Sequence, residues 1–196
     1  MLQALGLSYQ YSEKSLFSNL SFEINPGDCL QIIGGNGAGK TTLLRILSGL
    51  CPPQKGKVYW QHQDIYHSQL HTYNTDRLYL GHKLGIKTDL TLFENLKLHQ
   101  TLQRSEHPVS PTELTWLQLK NIATKSLSAG EQKKLALLRL LSSSALIWIL
   151  DEPFSNLDET GTNWVQELIK QHLAKKGRLI FTSHQKVNLT SQLIEL

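Results

Sequence analysis

Residues 34–41 read Gly34-Gly35-Asn36-Gly37-Ala38-Gly39-Lys40-Thr41, a complete G-x-x-x-x-G-K-[ST] phosphate-binding loop. Glycines let the backbone bend until successive N–H groups converge on phosphate oxygens. A helix N-terminus adds positive potential at the same place. Lys40 would reach the β- and γ-phosphates, and the Thr41 hydroxyl would ligate Mg²⁺. A second group of chemically able residues closes the apolar run 145–150, which ends in Asp151-Glu152. Acids at a strand end are often solvated termini or helix caps. Beside a phosphate loop they acquire a use, because phosphoryl chemistry needs a metal-binding carboxylate on a neighbouring strand. Asp151 suits that task, and Glu152 suits the orientation or deprotonation of an attacking water.

Elements must hold these groups together. Residues 30–33 form a short β-branched run, read as a buried strand leading into the loop. From Thr42 to Leu47 the apolar spacing is helical, with Gly49 as a C-terminal stop. Strands are expected at 2–7 and 20–24, joined by a polar stretch, then at 57–61, 78–80, 145–150, 179–182 and 193–196. Helices are expected at 91–102, 111–119, from about 130 to 141, and 159–176, while 62–76 gives no readable signal. The fold class that follows is α/β, with strand–helix alternation implying a parallel sheet and a small antiparallel β part at the N-terminus. One domain is expected, a core of 1–81 and 127–196 interrupted by a helical insertion at about 82–126.

At 196 residues, with 40% hydrophobic and 18% charged residues, the chain has the composition of an ordinary globular protein. Its net charge of +4 is spread along the chain, unlike the clustered basic stripe of a nucleic-acid binder, and no nucleic-acid partner is expected. The two cysteines, Cys29 and Cys51, fit no metal-ligand spacing and suggest a reducing compartment. No basic region followed by an apolar stretch opens the chain, so no signal peptide is expected. The most apolar segment, 135–150, is broken by Arg139 and Ser142-Ser143-Ser144 and falls short of a membrane span.

Leu127-Ser128-Ala129-Gly130-Glu131-Gln132 can be read locally as a capping box, Ser128 with Glu131, at the start of a helix. That leaves Gly130, inside the first turn, without a reason. The same stretch resembles the Leu-Ser-Gly-Gly-Gln signature of ABC-type ATPases. Ser155-Asn156-Leu157-Asp158 is similar to that family's D-loop, and Thr182-Ser183-His184 to the segment carrying its switch histidine. Tyr11 stands near the position of the aromatic residue that stacks on adenine, with Tyr9 as the competitor. The resemblance covers nearly the whole chain in order. It implies an ATP-binding cassette of the P-loop NTPase fold, with Glu152 and His184 catalytic and Mg²⁺ held by Thr41 and Asp151. It implies nucleotide contacts from Tyr11, residues 34–41 and Thr42, and contacts made across to a second copy by Ser128, Ala129, Gly130 and Glu131. Asp158 would act in the D-loop.

At one position the chain departs from the family: His82 stands where a glutamine is usual. The stretch around it, Gly81-His82-Lys83-Leu84-Gly85-Ile86-Lys87 with Glu94-Asn95-Leu96, resembles one subfamily, the ATPase subunit of bacterial cytochrome c maturation, or haem exporter. That resemblance implies a head-to-tail pair of copies, bound to integral membrane subunits on the cytoplasmic side of the inner membrane and powering haem delivery. The eight histidines are dispersed and no Cys-x-x-Cys-His occurs, so haem bound directly by this chain is not expected. The alternatives are an ABC-type ATPase of another transporter, one with no transport role, and a P-loop kinase for a small acceptor. The signature stretch counts against the kinase.

Overall fold

The computed structural model of the chain describes residues 1–67, 70–103, 122–184, 187, 189 and 192–196. It divides into two units. The first comprises Met1–His82, Ala145–Glu152 and Gln171–Leu196; the second comprises Lys83–Ser144 and Pro153–Lys170.

In the first unit, four largely apolar runs and the mostly exposed edge segment Gln192–Glu195 become strands. These are β3 (Cys29–Ile33), β6 (Arg77–Leu80), β7 (Ile147–Leu150), β8 (Arg178–Thr182) and β9 (Gln192–Glu195). They form a five-stranded sheet in the order β6-β7-β8-β3-β9, and each pairing is parallel. Parallel strands run continuously apolar because both faces are covered, and every residue of β7 and β8 is buried. The Ala145–Leu150 run expected as strand begins pairing only at Ile147. The helix α1 (Lys40–Leu47) ends at Ser48, one residue before Gly49, which lies at φ 70°.

A second, antiparallel sheet has the order β2-β1-β4-β5, built from β1 (Leu2–Tyr11), β2 (Lys14–Ile24), β4 (Lys55–Trp60) and β5 (Gln63–Asp64). Here the polar stretch expected between two short strands is itself strand, and the chain turns at Ser12, φ 53°. One face of this sheet carries Ser, Gln and Asn into solvent. Three register shifts between β1 and β2 break the simple alternation by which a half-buried strand is recognised. Leu2, Ala4, Leu7, Val58, Leu43, Leu44, Ile147, Ile149 and Ile180 meet in one apolar cluster. The unread stretch 62–76 holds β5 and α2 (Leu70–Asp76). Its Tyr73 is fully buried, donates its hydroxyl proton to Leu47 O at 2.6 Å and lies 5.5 Å from the Trp60 ring.

The second unit contains α3 (Leu92–Gln103), α4 (Ala129–Leu137) with a 3₁₀ turn at Leu138–Leu140, and the greater part of α5 (Glu159–Ala174). Leu92, Leu96, Leu127, Leu135 and Leu138 form its core, with Trp164 packed against them. The fully buried Asn95 ties the segment before α3 down, accepting the Lys87 N–H at 2.8 Å and donating to Lys87 O at 2.9 Å. The helix expected at 111–119 lies outside the described residues.

Candidate functional site

Parallel strands in register bring their carboxyl ends to one edge, where ligands of open α/β sheets bind. The phosphate loop follows β3, Asp151-Glu152 follows β7 and Ser183-His184 follows β8. Gly39 is the N-cap of α1, with φ 109°. A Cβ there would stand 2.9 Å from Leu16 Cβ, so both backbone angle and space demand glycine. Lys40 is 7% exposed and donates to Gly34 O at 2.7 Å and Gly35 O at 3.0 Å. A cleft of about 400 Å³ opens over this loop. Its walls are Tyr11, Lys14, Leu16, residues 35–39, Lys40, Thr41, Thr42 and Glu152.

Behind the loop lies a chain of hydroxyls and carboxylates. Thr41 Oγ1 donates to Asp151 Oδ2 at 2.9 Å, and Thr182 Oγ1 donates to Asp151 Oδ1 at 2.7 Å. Asp151 itself is 4% exposed. The Glu152 N–H donates to Thr182 Oγ1 at 2.9 Å. Glu152 adopts φ 48°, a conformation uncommon for a residue with a Cβ and concentrated at functional sites. Its Oε1 lies 2.8 Å from His184 Nε2. In the tautomer protonated at that nitrogen, the imidazole donates to the carboxylate.

The second unit carries the Leu127–Gln132 stretch. The capping box is fully formed: Glu131 N–H donates to Ser128 Oγ at 3.2 Å, and Ser128 N–H to Glu131 Oε2 at 2.8 Å. Both Ser128 and Ala129 are exposed. Gly130 now has a reason, since a Cβ there would come within 2.8 Å of Asn156 O. Asp158 caps α5, accepting Gly161 N–H at 2.9 Å, and it pairs with Lys134 Nζ at 3.1 Å. These contacts hold the Asp158 carboxyl below its usual range, the Gly161 bond contributing most.

The two tyrosine candidates separate. Tyr11 is 74% exposed on the cleft wall. Tyr9 packs on the core, 6.4 Å from the Phe17 ring, and its hydroxyl receives the Cys51 thiol at 3.8 Å. His82 is exposed just after β6. Sequence reasoning missed Lys14 and Thr182. Lys14 carried no motif, and the hydroxyl of Thr182 became meaningful only through register, which sets Leu150 opposite Phe181 and so Asp151 beside Thr182.

A hard divalent cation bound together with phosphates needs few protein oxygens. The Thr41 hydroxyl and Asp151 carboxylate, within hydrogen-bond reach of each other, fit that demand. Among the described residues no group of three or more His, Cys, Asp or Glu could hold a metal without help from a substrate.

A glycine loop at a helix N-terminus, an imidazole after the neighbouring strand and a carboxylate pair after the strand beyond it define a P-loop nucleoside triphosphatase of the cassette type. The chain belongs to the ABC transporter family, whose family model matches residues 17–155. Its relatives include the cytochrome c biogenesis ATP-binding export protein CcmA of Mannheimia succiniciproducens, 44% identical over 92% of this chain and 86% of the relative. The protein of the same description from Escherichia coli K12 is 40% identical over 99% of this chain and 94% of the relative. Among solved structures, an ABC transporter ATP-binding protein described as putative, from Pyrococcus furiosus, superposes with a TM-score of 0.83 at 24% identity, covering 100% and 96% of the two chains. A dimeric ATP-binding cassette, MJ0796, bound to ADP and Pi, gives 0.78 at 22% identity, covering 94% and 88%. The chain is thus an ABC-type ATPase, and its fold is the cassette fold.

Proposed function

We propose that this chain is the ATP-hydrolysing subunit of a membrane ABC complex and that its turnover powers haem delivery or export in cytochrome c biogenesis. The observation that carries the reading is the joining of Thr41, Asp151, Thr182 and Glu152 into one hydrogen-bonded chain behind the phosphate loop, in a protein similar along nearly its whole length to export proteins of that pathway.

The triphosphate lies along residues 34–41, where Lys40 exchanges two loop carbonyls for phosphate oxygens. Tyr11, on the wall of the same cleft, offers its ring face to the base, and Thr42 lines the floor. Thr41 and Asp151 hold Mg²⁺, which when bound neutralises charge on the phosphate oxygens. Glu152 takes the proton of the attacking water, and His184 orients the Glu152 carboxylate by the bond seen at 2.8 Å. Two copies associate head to tail. The Ser128 hydroxyl already accepts from Glu131 N–H and keeps its own proton to donate to the γ-phosphate on the other copy. With Ala129, Gly130 and Glu131 it opens a helix whose N-terminus attracts anions. Loss of the γ-phosphate removes the contacts that favour the closed pair. Asp158 keeps the D-loop tied to the signature helix through Lys134.

No helix among the described residues is long and apolar enough to cross a membrane. In this reading the chain sits peripherally on the cytoplasmic face, and integral subunits supply the spans. Deleting the gene and staining the host's c-type cytochromes for haem tests the proposal. Loss of the stained bands, restored by the wild-type gene and not by Glu152→Gln, is expected. Unchanged bands in the deletion would overturn the assignment to cytochrome c biogenesis.

A further inference from the structure

Thr182 is the last residue of β8, fully buried beyond the apolar run Leu179-Ile180-Phe181. A buried hydroxyl must find partners, and this one finds two that matter. As donor it takes Asp151 Oδ1 at 2.7 Å; as acceptor it receives Glu152 N–H at 2.9 Å. Its single proton is therefore committed to the carboxylate, which settles the direction of both bonds. Occupying Oδ1 leaves Oδ2 on the side of Thr41 Oγ1, the oxygen 2.9 Å away. The second bond falls at a left-handed residue, Glu152 at φ 48°, whose backbone geometry must be held by its surroundings. One hydroxyl thus aims the metal-side carboxylate oxygen and pins the peptide that carries the candidate base.

We infer that Thr182 is a positioning residue for ATP hydrolysis: it orients Asp151 toward the cation and fixes the backbone from which Glu152 reaches water. The inference rests on the ATPase reading above. It gives β8 a task beyond delivering His184, and it explains why a hydroxyl stands where an aliphatic side chain would pack equally well.

Thr182→Val keeps the β-branched shape and removes both hydrogen bonds; Thr182→Ser keeps the hydroxyl. Each is compared with the wild type in phosphate release across a Mg²⁺ titration. Affinity for a non-hydrolysable ATP analogue is measured separately, in Mg²⁺ and in EDTA, so that the inference is read even if turnover is not. Loss of a partner that orients a metal ligand changes metal affinity or activity by about 10- to 100-fold. A kcat decrease of that order is expected for the valine variant, with a higher Mg²⁺ requirement and unchanged analogue affinity in EDTA. Serine should restore both kcat and the Mg²⁺ requirement. Wild-type kcat and Mg²⁺ response in the valine variant would overturn the inference. So would a serine variant as impaired as valine, or a parallel loss of melting temperature and of analogue binding in EDTA, which marks packing alone. A wild-type protein that releases no phosphate in any setting, yet tightens on the analogue with Mg²⁺, would instead sink the ATPase reading.

Discussion

Replacing Glu152 by Gln changes one oxygen to nitrogen in a side chain of the same shape. The Glu152 N–H bond to Thr182 belongs to the backbone and survives, as does the left-handed φ of 48°. Lys40 and the loop carbonyls it now bonds are untouched. His184 Nε2, 2.8 Å from Oε1, still finds a carbonyl oxygen there. What disappears is a negative charge that can accept a proton. General-base catalysis contributes about 10²- to 10⁴-fold, equivalent to roughly 3–5 kcal/mol of barrier at about 1.4 kcal/mol per tenfold. Phosphate release from labelled ATP under saturating Mg²⁺ should fall by that factor, while equilibrium binding of labelled ATP stays within about the error of one hydrogen bond, roughly 1 kcal/mol. Because the γ-phosphate persists, size-exclusion chromatography with ATP should show the variant trapped as a pair of copies. Hydrolysis at the wild-type rate would refute the assignment of Glu152. Loss of ATP binding in step with hydrolysis would refute the separation of base from cradle.

Lys40→Ala removes the buried ammonium that the loop carbonyls hold. A charge-assisted bond is worth about 1.5–3 kcal/mol, so labelled-ATP affinity should fall by roughly 10- to 100-fold, and unchanged affinity would contradict the loop geometry. Gly130→Ala puts a methyl group 2.8 Å from Asn156 O. It should abolish ATP-induced pairing of copies while leaving nucleotide binding to the single chain intact, both readable by chromatography and filter binding. His172 stacks on Trp148 at 3.9 Å, and burial lowers its pKa from 6.5 to about 4. The unfolded chain therefore takes up the proton first, and stability falls as pH drops from about 6.5 toward 4. His99, lowered to about 4 by burial, adds to the same slope. Urea midpoints across that window should show a flatter pH dependence for His172→Phe than for wild type, and an equal slope would reject the buried neutral imidazole.

Legibility followed the physics of each element. The strands of the parallel sheet announce themselves because both faces are apolar, which is why β3, β7 and β8 were readable to within two residues. The hairpin of β1 and β2 was half hidden, since its solvent face and shifted register dilute the alternation. The helix α2 was hidden altogether. Leu70-His71-Thr72-Tyr73-Asn74-Thr75-Asp76 contains poor helix formers, and a buried Tyr73 anchored on Leu47 O overrides them.

At the site, motif order along the chain was enough to name the phosphate loop, Asp151-Glu152, the signature stretch and His184. These are short-range patterns: a loop that bends on glycine, an acid at the end of an apolar run, a serine opening a helix. Residue types and spacing alone determine such features. Choices between near-equivalent groups were settled only in three dimensions. Tyr11 rather than Tyr9 lines the cleft because a register shift between Tyr9 and Gln10 breaks the alternation that would put both on one face. Gly130 is required by the carbonyl of Asn156, a residue far along the chain. Thr182 meets Asp151 because two parallel strands pair in one register and not in its neighbours. A hydrogen bond of under 3 Å is set by that register, and register is decided by packing of whole sheets rather than by the residues that make the bond.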